Sequence, residues 1–268
     1  MRRGLWPNLP AVLFVTLAFW GVLPTATVAT EEPPSEPNTA SATPIVGGKP
    51  ADIDQYPWVV YLADSRGEQF CGGALIAPDK VLTAAHCVVD RRAPRVSVVA
   101  GRADKNSRQG RVLGVTDSWV HPDYSTPYRG ADVAVLTLRE TTSRSVVKLA
   151  APSDDGLYGD NTEATVLGWG ARSEEGQNSD VLRRAMVPVV GDAECAKIYD
   201  RQFVPNAMVC AGHPDGGVDA CQGDSGGPLV VGNKIIGIVS WGVGCARPGK
   251  PGVYTEVAAY AERIRARF

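Results

Sequence analysis

The chain has 268 residues, with 27 Lys+Arg against 29 Asp+Glu and a formal net charge of −2. That balance excludes a polybasic nucleic-acid binder, because no excess positive charge exists to release counterions from phosphates. A content of 44% hydrophobic and 21% charged residues suits a globular chain and not a disordered one. The 29 Gly and 20 Pro favour many short elements joined by turns over a helical bundle.

In chain order, Arg2 and Arg3 precede an apolar run from Ala11 to Leu23, which Pro24 breaks and small residues follow to Ala29. A basic start, a short apolar stretch and a small-residue exit read as a secretory signal peptide over residues 1–29. The run is too short for a membrane anchor, which needs about 20 apolar residues. Residues 30–44 are acidic, Pro-rich and almost without large apolar side chains. Such a segment has nothing to bury and is expected to be an unstructured propeptide or spacer. No later stretch is long and apolar enough to span a membrane, so a soluble, secreted mature chain is expected.

Export permits disulfides, and six Cys is an even number: Cys71, Cys87, Cys195, Cys210, Cys221 and Cys245. The absence of a CxxC pair and the presence of only three His argue against a structural zinc site. Spacing alone leaves the pairing open.

The body reads as strands and turns. Val/Ile/Leu-rich runs occur at 58–62, 73–76, 95–100, 132–138, 163–170, 228–231 and 234–242, with Gly, Pro, Asp and Asn between them. This is an all-β pattern of sandwich or barrel type. The last stretch, VAAYAERIRARF, has helical spacing and predicts a short surface helix. A composition break at 150–159 divides the strands into two sets, which suggests two β domains with a cleft between them.

The chemistry gathers in three short segments. Ser225 lies in CQGDSGGP, where a hydroxyl becomes a nucleophile only if a base takes its proton and donors meet the oxyanion. The glycines around it permit the N–H groups of Gly223 and Ser225 to point to one place. The alternative is an ordinary Gly-rich turn; the complete octet favours the reactive reading. Of the three histidines, His86 sits in LTAAHC beside a cysteine that can lock its backbone, whereas His121 and His213 precede proline in turn-like sequence and read as exposed or structural. Asp132 opens the apolar strand DVAVLTL, where a charge needs a partner.

Together these segments resemble the trypsin/chymotrypsin family of serine proteases from Ile45 to the C-terminus. IVGG at 45–48, TAAHC at 83–87, DVAVL at 132–136, GDSGGP at 223–228, SWG at 240–242 and PGVYTEV at 251–257 fall in the family order. GVDACQGDSGGP and GCARPGKPGVYTEV look most like trypsins secreted by actinobacteria. The resemblance implies two antiparallel six-stranded β-barrels, about 45–150 and 151–268, with a short C-terminal helix and a cleft between the barrels.

For function it implies a serine endopeptidase acting through an acyl-enzyme. In this family Ser225 would be nucleophile, His86 base and acid, and Asp132 its orienting partner, while Gly223 and Ser225 N–H groups would form the oxyanion hole. Ser240 is expected near Asp132, and the Ser240–Trp241–Gly242 backbone is expected to pair with substrate as an added strand. Asp219 matches the base of the primary pocket, with Ala220 beside it, Gly242 and Gly252 as walls and Gln222 at the rim. A carboxylate there selects Arg or Lys before the cleaved bond. The family's activation logic implies a zymogen cut before Ile45, whose freed ammonium pairs with Asp224. The implied disulfides are Cys71–Cys87, Cys195–Cys210 and Cys221–Cys245.

The implied partners are protein or peptide substrates, proteinaceous protease inhibitors and an activating protease of other specificity, with no nucleic acid, membrane or cofactor, and a monomeric state. Arg102 stands where calcium-binding members place an acid, which puts that metal site in doubt. Asp192 and Glu256 fall where some bacterial trypsins hold a different calcium, but two carboxylates alone do not make a site, and paired surface charges elsewhere are the preferred reading. Two rival functions are a family member that has lost activity, which usually shows a substituted triad residue, and an esterase using the same triad. The first is disfavoured by the intact constellation and the second by Asp219.

Overall fold

The computed structural model describes residues 45–268; the expected signal peptide and propeptide lie outside the described residues. The chain starts on the second of two barrels before it builds the first. Strand β1 (Lys49–Pro50) pairs antiparallel with β10 (Arg183–Val190) through Lys49 opposite Arg184. That early docking seats Ile45, which is fully buried, against the half of the molecule that carries Ser225.

The first barrel comprises β2 (Val59–Ala63), β3 (Gln69–Ala77), β4 (Lys80–Thr83), β5 (Ser97–Ala100), β6 (Arg111–Val120) and β7 (Ala134–Leu138). They close in the order β2-β3-β4-β7-β6-β5, antiparallel throughout. Leu62, Leu75, Leu82 and Leu136 fill its interior and are among the largest fully buried side chains. Closure removes free sheet edges, and so lets short strands share one core.

After β8 (Lys148–Leu149), which runs parallel to β13, the second barrel is made of β9 (Glu163–Gly168), β10, β11 (Met208–Ala211), β12 (Pro228–Val231), β13 (Lys234–Trp241) and β14 (Gly252–Glu256). The ring runs β9-β10-β11-β14-β13-β12 and closes through the β9–β10 pairing. Two antiparallel six-stranded barrels are therefore present. Helix α1 (Asp192–Tyr199) lies between β10 and β11, and α2 (Val257–Arg265) follows β14. Helix α2 ends three residues before the terminus and buries Val257, Ala258, Ala261 and Ile264, the stripe that helical spacing predicts.

Two sequence expectations need correction. The run at 132–138 becomes strand only from Ala134, and Asp132 precedes it in a turn where Ala131 holds φ +55°. Strands β1, β4, β6, β8, β10, β11 and β14 and helix α1 are additional to the expected set. Polar and apolar residues mix along β6 (RVLGVTDSWV), and Pro188 interrupts β10, so neither has the continuous apolar signature of a buried strand.

The barrels are pinned together by Trp169, one residue beyond β9. Its ring meets Tyr61 of β2 edge-on at 5.1 Å, and its Nε1–H donates to the Ala103 carbonyl of the first barrel at 2.8 Å. The same carbonyl accepts from Leu182 N at 2.7 Å. Trp169→Phe removes one hydrogen bond and leaves a cavity at a residue only 1% exposed. It is expected to cost about 1–3 kcal/mol of unfolding free energy, lowering the thermal midpoint by about 2–4 °C per kcal/mol. A substitution with no effect in a urea melt would show that the barrels dock without this residue.

Candidate active site

Between the barrels, a buried carboxylate collects donors from both sides. Asp132 is fully buried. Its Oδ1 accepts from the His86 backbone N–H at 2.9 Å, and its Oδ2 lies 2.7 Å from His86 Nδ1 and accepts from Ser240 Oγ–H at 2.6 Å. A carboxylate only accepts, so the short contact assigns the ring proton to Nδ1 and leaves a lone pair on Nε2. The local sequence dictates each placement. His86 is the middle residue of a 3₁₀ turn (Ala85–Cys87) after β4, tied by the Cys71–Cys87 disulfide to β3. Ser240 falls at a register shift between Val239 and Trp241 in the β13–β14 pairing. Such a bulge re-aims a side chain out of the regular alternation, here toward Asp132.

Ser225 enters the same strip from the second barrel. Its carbonyl accepts from Gly72 N of β3 at 2.7 Å, and the Cys87 sulfur lies 3.7 Å from both that carbonyl and His86 Nε2. The residues around it form consecutive tight turns. Gly223 holds φ +90°, and a Cβ there would stand 2.7 Å from the Asn178 side-chain nitrogen, so only glycine fits. Asp224 N, Gly226 N and Gly227 N donate to Cys221 O, Val239 O and Asp224 O at 3.0, 2.8 and 2.8 Å. Among the described residues, the N–H groups of Gly223 and Ser225 find no such acceptor.

Two further carboxylates flank Ser225. Asp224 is fully buried and accepts from Gly170 N at 2.7 Å and Cys221 N at 3.0 Å. Burial pushes its carboxyl up to about 7, against the opposing pull of those two N–H groups and of Lys105. Asp219 is 3% exposed and accepts from Ala220 N at 2.8 Å and Ala246 N at 3.2 Å. Burial pushes it also up to about 7. Asp219 N bonds to Val46 O at 3.1 Å, which places the segment after Ile45 directly behind it.

Asp219 lies at a cavity of about 180 Å³ that also reaches Ala220, Gln222, Ser225, Ser240, Trp241, Gly242 and Gly252. A Cβ at Gly252 would come within 2.7 Å of the Asp219 carboxylate, so a side chain there closes the cavity. Tyr254, which sequence reasoning missed, also lines this cavity, and its hydroxyl is buried without a hydrogen-bond partner among the described residues. The Trp241 ring packs edge-on against Tyr128 and Tyr199, each at 5.0 Å.

Other candidates separate clearly. His121 is 5% exposed, with its ring edge-on to Trp119 and Tyr260. Burial holds its pKa below the ordinary value. His213 contacts the Met186 carbonyl at 3.1 Å. The structure also joins Cys195 to Cys210 and Cys221 to Cys245. Arg102 spans its loop by donating to the Gln109 carbonyl at 2.7 Å. Glu256 is partly buried, and burial and the charges of Asp192 and Asp155 push it up to about 7. Among the described residues, the one cluster of three metal-ligating side chains is Cys71, His86 and Cys87, and the disulfide consumes both sulfurs.

Comparison with known proteins agrees with this geometry. The family model described as Trypsin matches residues 45–264. A trypsin of Saccharopolyspora erythraea is 53% identical over 216 residues, covering 81% of this chain and 94% of the relative. A trypsin-like protease of Streptomyces glaucescens is 42% identical, covering 88% and 87%, and the vitellin-degrading protease of Bombyx mori is 42% identical, covering 82% and 84%. With one family matched across nearly all the described residues, the chain belongs to the trypsin family and is a serine endopeptidase.

Proposed function

We propose that this protease cleaves peptide bonds after Arg, and less readily after Lys, and that it is exported and processed before Ile45. The observation that carries the specificity is Asp219 in its cavity. Among the described residues it has two backbone donors and no cation, and the Tyr254 hydroxyl beside it has no partner. A guanidinium brings several donors in a planar fork and answers that deficit, whereas the compact ammonium of Lys reaches it less directly.

In the proposed mechanism Ser225 Oγ attacks the scissile carbonyl while His86 Nε2 takes the hydroxyl proton. Asp132 holds the ring and offsets its positive charge. The developing oxyanion is met by the uncommitted N–H groups of Gly223 and Ser225, which need no reorganisation at that moment. As the C–N bond breaks, His86 returns the proton to the leaving amine and an acyl ester remains on Ser225. Water, deprotonated by His86, repeats the attack and releases the acid. The Ser240–Trp241–Gly242 backbone is proposed to pair with the substrate on the acyl side, and Gln222 to touch it at the rim.

Residues 1–29 and 30–44 are proposed to be removed in succession, giving an extracellular monomer open to proteinaceous inhibitors. Two features support cleavage before Ile45. Ile45 is buried with φ +36°, a value that strains a β-branched residue inside a continuous chain and that ceases to exist at a free N-terminus. Asp224 is a buried carboxylate without a full counter-charge, which a freed ammonium would supply.

With peptide amides that differ only in the residue before the cleaved bond, kcat/KM is expected to fall in the order Arg, Lys, then neutral residues. Ala220→Ser adds a hydroxyl within reach of an ammonium and should narrow the Arg/Lys ratio, by at most the roughly 1.5–3 kcal/mol typical of a hydrogen bond to a charged group. A preference for neutral or aromatic residues would overturn the assignment of Asp219.

The raised pKa of Asp219 predicts a pH dependence with a definite sign. An arylamidinium binds the ionised carboxylate, so its affinity should rise by about tenfold per pH unit below 7 and level off above it. Asp219→Asn should weaken binding and flatten the profile. A wild-type profile already flat from pH 5 to 8 in calorimetry contradicts the proposal.

The unprocessed chain should not activate itself. Pro44 precedes the bond to be cut; it offers Asp219 no cation, and its ring lacks the N–H that strand-like pairing uses. Ser225→Ala chain incubated with a trace of mature enzyme should keep its propeptide. Release of an Ile45 N-terminus under those conditions would refute this.

A further inference from the structure

A polar relay runs from the first barrel to the Gly223 peptide and is not part of the mechanism above. Gln69, at the start of β3, donates from Nε2 to the Gly223 carbonyl at 2.9 Å, and its Oε1 accepts from Lys105 Nζ at 2.9 Å. Lys105 is itself fixed at the backbone, since its N–H donates to the Asp180 carbonyl at 2.8 Å, and the neighbouring residue Asp104 bridges to Val181. We propose that Lys105 is a positioning residue for the oxyanion hole, acting through Gln69 on the Gly223 peptide.

The argument begins with the chemistry of the two side chains. A glutamine amide is nearly symmetric in shape, and its two ends differ only in that one donates and the other accepts. An ammonium donates and never accepts. Lys105 therefore obliges Gln69 to turn its oxygen toward Nζ and its NH₂ toward the Gly223 carbonyl. Without the ammonium, nothing on that side prevents the amide from presenting oxygen to oxygen.

Gly223 needs such control because of its backbone freedom. The peptide before it is held at the Gln222 carbonyl by Ala171 N at 2.7 Å. The peptide after it is held at its N–H by Cys221 O at 3.0 Å and at its carbonyl by Gln69. These anchors together set φ at +90° and hence the direction of the Gly223 N–H. Glycine has no Cβ to restrict that torsion, so the relay supplies a restriction from outside the loop.

The inference rests on the proposed oxyanion role of Gly223, and the test separates the two. A peptide aldehyde ending in Arg forms a tetrahedral adduct with the serine and uses the oxyanion hole, whereas an arylamidine occupies only the Asp219 cavity. Lys105→Met should lower kcat on a peptide amide by about five- to tenfold, the worth of one hydrogen bond, with KM little changed. Aldehyde affinity should fall in step, and arylamidine affinity should stay within about twofold. Lys105→Glu, which obliges the amide to flip, should cost more than Lys105→Met, and Lys105→Arg should recover part of the loss. In a Gln69→Ala background Lys105→Met should cost nothing further, because the residue acts only through Gln69.

Equal weakening of aldehyde and arylamidine, or an undiminished Lys105→Met effect in the Gln69→Ala background, would overturn the proposal. So would wild-type aldehyde affinity that Lys105→Met leaves intact, with the oxyanion reading still standing. A wild-type enzyme that binds the aldehyde no better than the matching alcohol removes the oxyanion reading and this inference with it. If Lys105→Met fails to fold, Gln69→Glu gives the same decision, since its carboxylate still accepts from Lys105 but has no donor for the Gly223 carbonyl.

Discussion

The burial of the Asp132 carboxylate at the seam between the barrels constrains the arrangement of both. A carboxylate removed from water at zero exposure is costly unless its lone pairs are filled. Here the donors come from the His86 backbone and ring on one side and from Ser240 on the other, so neither barrel alone satisfies it. Thr255 of the second barrel also donates its hydroxyl to the Asp132 carbonyl at 2.9 Å. Side chain and backbone of a single residue thus tie β4's trailing turn, β13 and β14 into one register. The His86 tautomer follows from this arrangement and does not depend on any feature of the histidine itself.

Asp219 and Asp224 extend the same logic with different outcomes. Both are buried, both accept from two backbone N–H groups, and burial pushes both up to about 7. Their difference is what they face. Asp219 opens onto the cavity, whereas Asp224 is enclosed by Gly168 and Gly170, where an added Cβ would collide with the carboxylate. One carboxylate opens to the cavity, and the other is enclosed by the chain, with the charge of Lys105 acting on it. Three acids in one small region therefore play distinct parts that geometry sets.

The loop from Gly101 to Gly110 shows how local charge substitutes for other means of fixing a loop. Arg102 bonds across to Gln109, Ala103 accepts from Trp169 and Leu182, and Lys105 reaches Gln69. The first contact closes the loop on itself, and the others link it to the other barrel or to β3. A cationic loop next to Asp180, Glu68 and Asp224 is electrostatically consistent in a way that an acidic loop would not be without a metal.

Much of the site was legible in the chain because its residues sit in short contiguous motifs. CQGDSGGP, TAAHC and DVAVL each carry a reactive or charged residue in a context too specific for an ordinary turn, and strands such as Pro228–Val231 and Lys234–Trp241 announce themselves by continuous apolar runs. The sequence by itself determined the all-β class, the short C-terminal helix, and which aspartates, histidine and serine were worth following. It did not reveal β6 or β10, whose polar residues and proline are tolerated because closure of the barrel supplies partners that periodicity cannot see. Spacing left the cysteine pairing open, and the three pairs that the resemblance implied are those the structure joins; only the tertiary structure decided that Asp132 lies before its strand and that a bulge is what turns Ser240 toward it. Gln69 and Lys105 belong to the same class. Gln69 lies 154 residues from Gly223 and 36 from Lys105, and a hydrogen bond over such separations leaves no local pattern, because it depends on how two closed barrels dock and not on the residues adjacent in the chain.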